Sequence, residues 1–184
     1  MTPSTRDRIL NALEALLLEK GMSQVTLENV AAAAGVSKGG LLYHFKSKDA
    51  LLAGLVRRLG ERAAHQMADT TAKGVSIAEW YLQTPNPDNV ADAVEMELYR
   101  SMLATMRSVD AKNDADDVQR ALADLMVSWS DGLDEEIDDP VRADIIRLVG
   151  DGVYLRALLG IPPIDPERYR RVVERLLTGG QAPT

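Results

Sequence analysis

The sequence predicts an all-α protein, and three observations carry that prediction. Apolar residues recur at spacings of three and four along most of the chain. No segment alternates apolar and polar residues as a half-buried strand would. Aromatic residues make up only 4% of the 184 residues, so the core must be built from Leu, Ala, Val, Ile and Met. That length allows one or two small domains with a real core. Internal repeats and low-complexity tracts are absent from the sequence.

The first helix is expected from about Thr5 to Lys20, with Gly21 as its stop. Thr26 can cap a second helix, and Glu28 then lies in its first turn, where the helix dipole favours a negative charge. Leu27, Val30, Ala31 and Ala34 fall on one face at i, i+3, i+4 and i+7. Three of the four are small or β-branched, so a neighbouring helix can come close. Gly35 stands where a left-handed residue is wanted, Val36 plugs the turn, and Ser37 can cap a third helix. Within that third helix Gly39 and Gly40 each cost about 1 kcal/mol relative to alanine. Lys38-Gly39-Gly40 can also be read as a loop. Against the loop, Leu41 and Phe45 are spaced as a core face, leaving Tyr43, His44 and Lys48 outside. Bare backbone at the glycines suits close approach to phosphates or base edges. Two short helices around a glycine-centred turn are the construction that places the second helix in a DNA major groove. Tyr43 and His44, followed by Lys46 and Lys48, then read as a phosphate-gripping set. Taken singly, each is an ordinary surface or half-buried side chain.

Ser47 can cap a long amphipathic helix carrying Leu51, Leu52, Leu55, Val56 and Leu59 and reaching Met67. This helix would leave a DNA-binding domain of residues 1–47, enter a larger domain of residues 48–184, and couple the two. Thr70 to Gly74 breaks it. Ser76–Gln83 forms a short helix stopped by Pro85 and Pro87. Asp88 caps the next, with Val90, Val94, Leu98, Met102 and Met106 in register. Residues 110–115 form a loop, and Asp117–Leu133 a further helix. In Val141–Leu159, Val141, Ile145, Leu148, Gly152, Leu155 and Leu159 form one stripe. Gly150 and Gly152 weaken that helix unless another helix packs closely there. Pro166–Thr178 forms the last helix, with Tyr169, Val172, Val173, Leu176 and Leu177 on one side.

The net charge of −7 is unevenly spread. Residues 1–50 carry six basic and five acidic side chains, whereas residues 51–184 carry fifteen and twenty-three. Within residues 36–58 there are five basic and one acidic. Positive charge is thus local to the proposed DNA face, and the acidic remainder limits non-specific binding. The chain has no cysteine, which excludes disulfides, thiol catalysis and cysteine-ligated zinc and suits the cytoplasm. The N-terminus has no apolar core of a signal peptide, and no apolar run approaches the roughly 18 residues of a membrane helix.

At this point a resemblance is plain. Thr5–Val56 resembles the DNA-binding domain of the tetracycline-repressor-like (TetR) family of bacterial transcriptional regulators. The matching residues are Arg8 to Leu17 ending at Gly21, Val25-Thr26-Leu27, Val30-Ala31, Ala34 to Gly39, and Tyr43 to Leu51. One departure is visible: members commonly show Leu-Tyr-x-His-Phe, whereas here Leu42 holds the tyrosine position and Tyr43 follows. A leucine can meet a thymine methyl but cannot hydrogen-bond. The resemblance implies an N-terminal three-helix helix-turn-helix domain and a larger helical ligand-binding and dimerisation domain. It implies a homodimer on double-stranded palindromic operator DNA, with Thr26, Ser37, Lys38, Gly39, Gly40, Leu42, Tyr43, His44 and Lys48 as the DNA contacts. The helices around Leu148–Leu159 and Val172–Leu177 would pair with their symmetry mates. Alternatively, those faces complete the core of a monomer. The family's second domain binds a small effector between its helices, and Met96, Tyr99, Arg100, Met106, Trp129 and Tyr154 are the candidates here. Met at helical spacing is also ordinary core.

Asp131, Asp134, Glu135, Glu136, Asp138 and Asp139 make an acidic knot that lacks the order of a calcium loop and reads as a solvated surface. Residues 113–117 lack a calcium loop's glycine. His44 and His65 lie in different segments, so a histidine-based metal or acid–base site is not expected. No nucleophile elbow, P-loop or dinucleotide fingerprint occurs. The sequence therefore predicts no enzyme, no cofactor and no metal. The expected function is a ligand-responsive regulator, released from DNA by a small apolar effector. The rivals are a helical adaptor that no longer binds DNA and a metal-dependent enzyme using Asp134 and Glu135.

Overall fold

The computed structural model describes residues 3–86, 88–106 and 116–178, with no side chain described at 90, 91, 101–106, 116, 129 or 131. Nine α-helices and no strand occur among the described residues. They fall into two compact units, Met1–Glu61 with Val94–Leu125, and Arg62–Ala93 with Met126–Thr184.

In the first unit, α1 (Thr5–Lys20) opens with a reciprocal cap. The Ser4 hydroxyl accepts from the Asp7 N–H at 3.1 Å, and the Asp7 carboxylate accepts from the Ser4 N–H at 3.2 Å. That side chain's bonds to Ser4 hold the Asp7 carboxyl below its ordinary value. A 3-10 turn at Met22–Gln24 leads to α2 (Leu27–Ala34), where the Thr26 hydroxyl accepts from the Asn29 N–H at 3.1 Å. Gly35 ends α2 at φ 65, ψ 39. Its N–H donates to the Ala32 carbonyl, and that of Val36 donates to Ala31. An L-residue forced into this conformation costs about 1–2 kcal/mol. Then comes α3 (Lys38–His44), so Lys38-Gly39-Gly40 is helix and not loop. The Ser37 hydroxyl accepts from the Gly40 N–H at 3.0 Å and fixes its start. Leu41 and Phe45 are buried as their spacing required.

The Ser47 hydroxyl accepts from the Ala50 N–H and starts α4 (Lys48–Thr71). Every residue from 51 to 56 is buried. A Cβ on Gly54 would lie 2.6 Å from Phe45 Cε1, so α4 lies directly against that ring. Arg58 donates to Asn11 Oδ1 at 2.6 Å and pairs with the largely buried Glu14 carboxylate, tying α4 to α1. The helix runs past Met67 to Thr71, and the Thr70 and Thr71 hydroxyls donate back to the carbonyls of Gln66 and Ala68. It stops before Gly74, at φ 91. α6 (Val90–Met106) starts one residue later than a cap at Asp88 implies: the Ala93 N–H donates to the Asn89 carbonyl, so Asn89 holds the cap position. The predicted loop at 110–115 lies outside the described residues. α7 (Asp116–Glu136) extends three residues beyond Leu133.

The second unit is built around Ala78, Tyr81, Leu82, Leu133 and Ile146. The short α5 (Ile77–Tyr81) is capped twice. The Ser76 hydroxyl accepts from the Glu79 N–H, and the Glu136 carboxylate accepts from the N–H groups of Ile77 and Ala78 at 2.6 and 3.1 Å. Asp139 caps α8 (Pro140–Leu158), and Asp165 caps α9 (Pro166–Leu177), each with proline at the first helical position. At Gly150 a Cβ would run into Tyr81, so this glycine admits α5 against α8. The Tyr81 hydroxyl donates to Asp151 Oδ1 at 2.5 Å. Burial, reinforced by that carboxylate, pushes the Tyr81 phenol well above its ordinary value. Arg142 of α8 donates to the carbonyls of Leu176, at 2.8 Å, and Leu177, closing the end of α9. The Tyr169 hydroxyl donates to the Leu82 carbonyl at 2.7 Å.

The long stripe on α8 is bare. Val141, Ile145, Leu148, Leu155 and Leu159 are 44–71% exposed, and a Cβ on Gly152 would meet nothing within 4 Å. Close packing within the chain thus explains Gly150 but not Gly152. The apolar side of α9 differs, since Val173, Leu176 and Leu177 pack on the unit's own core. Among the described residues no helix is long and apolar enough to cross a membrane.

Candidate nucleic-acid interface

The α2–turn–α3 segment displays most of the expected contact residues on its surface. Thr26, Ser37, Lys38, Gly39, Tyr43 and His44 are exposed, while Gly40, Leu42 and Lys48 are half-buried. Lys48 was expected outside, but it is the first residue of α4 and only partly exposed. Tyr43 is 78% exposed, and its ring meets that of His44 edge-on, with centroids 5.2 Å apart. That exposure leaves the Tyr43 ring free of the chain's own core.

The two capping hydroxyls are only half used. Thr26 and Ser37 each accept from a backbone N–H and keep a hydroxyl proton to donate to a phosphate oxygen. The glycines divide. At Gly40 a Cβ would come within 3.3 Å of the Ser37 hydroxyl, so the cap itself disfavours a side chain there. At Gly39 the nearest atom would be 3.9 Å away, an ordinary van der Waals contact, so a side chain there would fit within this chain. Packing within the chain therefore does not require glycine at position 39.

Three features escaped the sequence reading. Lys38 Nζ lies 2.6 Å from the Glu28 carboxylate, both exposed, so a cation expected on DNA is paired within the protein. That lysine holds the Glu28 carboxyl below its ordinary value. The Arg8 guanidinium donates to the carbonyls of Ala34, at 2.7 Å, and Gly35, at 3.2 Å. The Arg6 guanidinium lies over the Phe45 ring, 5.4 Å from its centroid. Helical periodicity gives no sign of these pairings, because each joins different elements. Glu28→Gln should raise affinity for duplexes of any sequence by about two- to fivefold, the scale of an exposed ion pair, since Lys38 then meets phosphate without a competitor. Fluorescence anisotropy at fixed salt reads this, and an unchanged affinity would refute it.

The candidate effector residues are divided between the two units. Met96 and Tyr99 are buried, the latter to 3% exposure, and burial together with Glu95 pushes the Tyr99 phenol far up. Arg100 is exposed and pairs with Glu97 at 3.8 Å. Tyr154 is half-buried in the second unit. The side chains of Met106 and Trp129 lie outside the described residues. The acidic knot is partly structural. Asp134 pairs with Arg147 at 3.0 Å, Glu136 caps α5 and Asp139 caps α8, while Asp131 lies outside the described side chains.

Two family models match the chain. "Bacterial regulatory proteins, tetR family" covers residues 9–55, and "Tetracyclin repressor-like, C-terminal domain" covers residues 75–178. The chain is 27% identical over 175 residues to the HTH-type transcriptional regulator PksA of Bacillus subtilis, covering 91% of this chain and 85% of the relative. It is 27% identical over 182 residues to the HTH-type transcriptional repressor Rv1474c of Mycobacterium tuberculosis, covering 92% and 89%. Among solved structures, the multidrug binding protein EbrR complexed with malachite green superposes with a TM-score of 0.69 at 27% identity, over 95% of this chain and 98% of that one. EbrR complexed with ethidium gives a TM-score of 0.65 at 27% identity, over 96% and 99%. These relatives are regulators or ligand-binding proteins, and none is described as an enzyme. The exposed helix-turn-helix and the match of both halves of the chain lead to one conclusion: the chain belongs to the TetR family of bacterial transcriptional regulators.

Proposed function

We propose that the chain is a ligand-responsive repressor that binds a palindromic operator as a homodimer in the cytoplasm and is released by a small, largely apolar effector. The observation that carries the DNA half of the reading is the solvent-facing surface of α3, with Tyr43 and His44 bare beside Gly39. Residues 1–47 form the DNA-binding domain, with Thr26, Ser37, Lys38, Gly39, Gly40, Leu42, Tyr43, His44 and Lys48 as its contacts. Residues 48–184 bind the effector and pair the subunits. The stripe on α8 supports dimerisation, since a row of large apolar side chains in water needs a cover. Gly152 in the middle of that row would let a second helix come close. On α9, Val172 is less committed to the chain's own core than Val173, Leu176 and Leu177, so α8 supplies the larger share of the contact.

The effector half rests on kinship with EbrR. Malachite green and ethidium are aromatic cations, and the acidic balance of residues 51–184 suits a ligand of that charge. Met96, Tyr99, Arg100, Met106, Trp129 and Tyr154 are the proposed lining, which offers apolar area for affinity and a few polar groups for orientation. Repression follows the printed description of Rv1474c. Two recognition helices must stand about 34–36 Å apart to read adjacent major grooves. A ligand that binds better when they are spread otherwise weakens DNA binding by that same differential affinity.

The test uses a duplex selected by the protein from a random-sequence pool. Apolar and aromatic cationic compounds, malachite green among them, are titrated against the fluorescence of Trp80 and Trp129, the only tryptophans. By linkage, an effector should perturb the emission and release the duplex over the same concentration range. A compound that quenches without releasing DNA reveals a pocket with no switch. If none alters either signal, the ligand-responsive half of the reading is abandoned and the DNA-binding half stands.

A further inference from the structure

Arg8 lies in the first turns of α1, far in sequence from the turn that aims the recognition helix. Its charge counts toward the basic balance of residues 1–50, where a cation is naturally assigned to phosphate. The geometry shows another use. The carbonyls at the end of α2 have no partner within that helix. Gly35 and Val36 satisfy those of Ala32 and Ala31. Past Ala33, the carbonyls of Ala34 and Gly35 both receive the Arg8 guanidinium, at 2.7 and 3.2 Å. A planar fork suits two neighbouring carbonyls, and a cation suits the negative end of the α2 dipole. A Cβ on Gly35 would lie 3.3 Å from Arg8 Nη2, so the turn is bare where the guanidinium sits. Only Val36 and Ser37 separate this point from the first residue of α3. At the other end of α3, Arg6 covers Phe45, the residue that ends the helix. The first turn of α1 thus touches the residues that flank α3 on either side.

We propose that Arg8 is a positioning residue for DNA recognition, which fixes the direction of α3 by holding the carbonyls of Ala34 and Gly35 and is not itself a phosphate contact. The proposal rests on the reading of α3 as the recognition helix. Direct base readout depends on where α3 points, whereas backbone attraction depends mainly on how many cations face the phosphates. Loosening the turn should therefore reduce specific binding and leave non-specific binding in place.

The decisive variant is Arg8→Lys in the full-length chain. It keeps the charge but cannot hold both carbonyls in one plane. The probes are a duplex selected by the parent from a random pool and a scrambled duplex of equal length. Affinity is measured per active molecule, after stoichiometric titration, over a range of salt. The expected result is a loss of about tenfold on the selected duplex, the scale of one charge-assisted hydrogen bond, with scrambled-duplex affinity and salt slope as in the parent. An unchanged affinity in Arg8→Lys, with a slope about 0.9 lower in Arg8→Ala, makes Arg8 a phosphate contact and overturns the proposal. So does a lowered melting temperature with the parent's specificity ratio, which marks a residue that only supports the fold. Tyr43→Ala and Lys48→Ala, run alongside, test the underlying reading: if both bind the selected duplex as tightly as the parent, the assignment of α3 has failed, whatever Arg8→Lys does.

Discussion

A chain carrying Leu148→Glu and Leu155→Glu is expected to sediment as a folded monomer and to bind its selected duplex roughly 10²–10⁴-fold more weakly than the parent, because two linked half-site contacts become one. Both side chains point into water, at 71% and 51% exposure, so the carboxylates meet no interior of their own subunit. Facing a second copy across the same stripe, they place like charges in an apolar contact that cannot hydrate them. Circular dichroism should therefore be unchanged while the sedimentation coefficient falls. Leu176 is a poor site for the same experiment. It packs on the core around Tyr81 and Ile146, and a charge there would attack the fold itself. A parent chain that sediments as a monomer at micromolar concentration, or a double variant that remains a dimer, would remove the stripe on α8 from the interface.

The second large effect is expected on DNA. Tyr43→Ala and Lys48→Ala should each weaken binding to every duplex by about ten- to a hundredfold, the range of a lost hydrogen bond to a charged group. Lys48→Ala should also lower the slope of log affinity against log salt by about 0.9, one phosphate's share. The controls follow from burial. Lys48 is half-buried, so Lys48→Met keeps the stem and removes the charge. Tyr43→Phe keeps the ring against His44 and removes only the hydroxyl. If Tyr43→Phe binds like the parent while Tyr43→Ala does not, the ring makes the contact and not the hydroxyl. If both Tyr43→Ala and Lys48→Ala bind as tightly as the parent at moderate salt, α3 is not the recognition helix.

The features legible in the sequence were those whose physics is local. Thr26, Ser37 and Ser47 each cap a helix through an N–H three residues on, and such pairs lie side by side in the chain. Gly35 announced its left-handed turn because few other residues tolerate it. The stripe on α8 was legible as a stripe, but whether its own chain covers it depends on where α5, α7 and α9 come to lie. The same periodicity on α9 ends on the core, and on α8 it ends in water. Polar pairs between elements left no trace. Arg8 and Ala34 are 26 residues apart, and Glu136 reaches Ile77 across 59. For that reason the acidic knot read as solvated surface although Asp134, Glu136 and Asp139 each hold something in place. For the same reason Lys38 read as a free cation, with Glu28 ten residues before it.

The anchoring of α4 sets a constraint of angular phase. Its residues 51–56 are locked into the helix-turn-helix core, and Arg58 is bound to Asn11 and Glu14, so this stretch cannot turn about its own axis without carrying the recognition helix with it. The rest of the helix, to Thr71, is uninterrupted backbone. Each residue of an α-helix contributes about 100° of rotation and 1.5 Å of rise. The number of residues in α4 therefore acts like the thread count of a screw, setting the angular phase between its anchored stretch and its last turn. Adding or removing one residue beyond Arg58 would shift that phase by more than a quarter turn. Seven would restore it to within about 20° while lengthening the shaft by about 10 Å. If the protein meets two grooves at once, as proposed above, α4 can exchange its side chains far more freely than it can change its length.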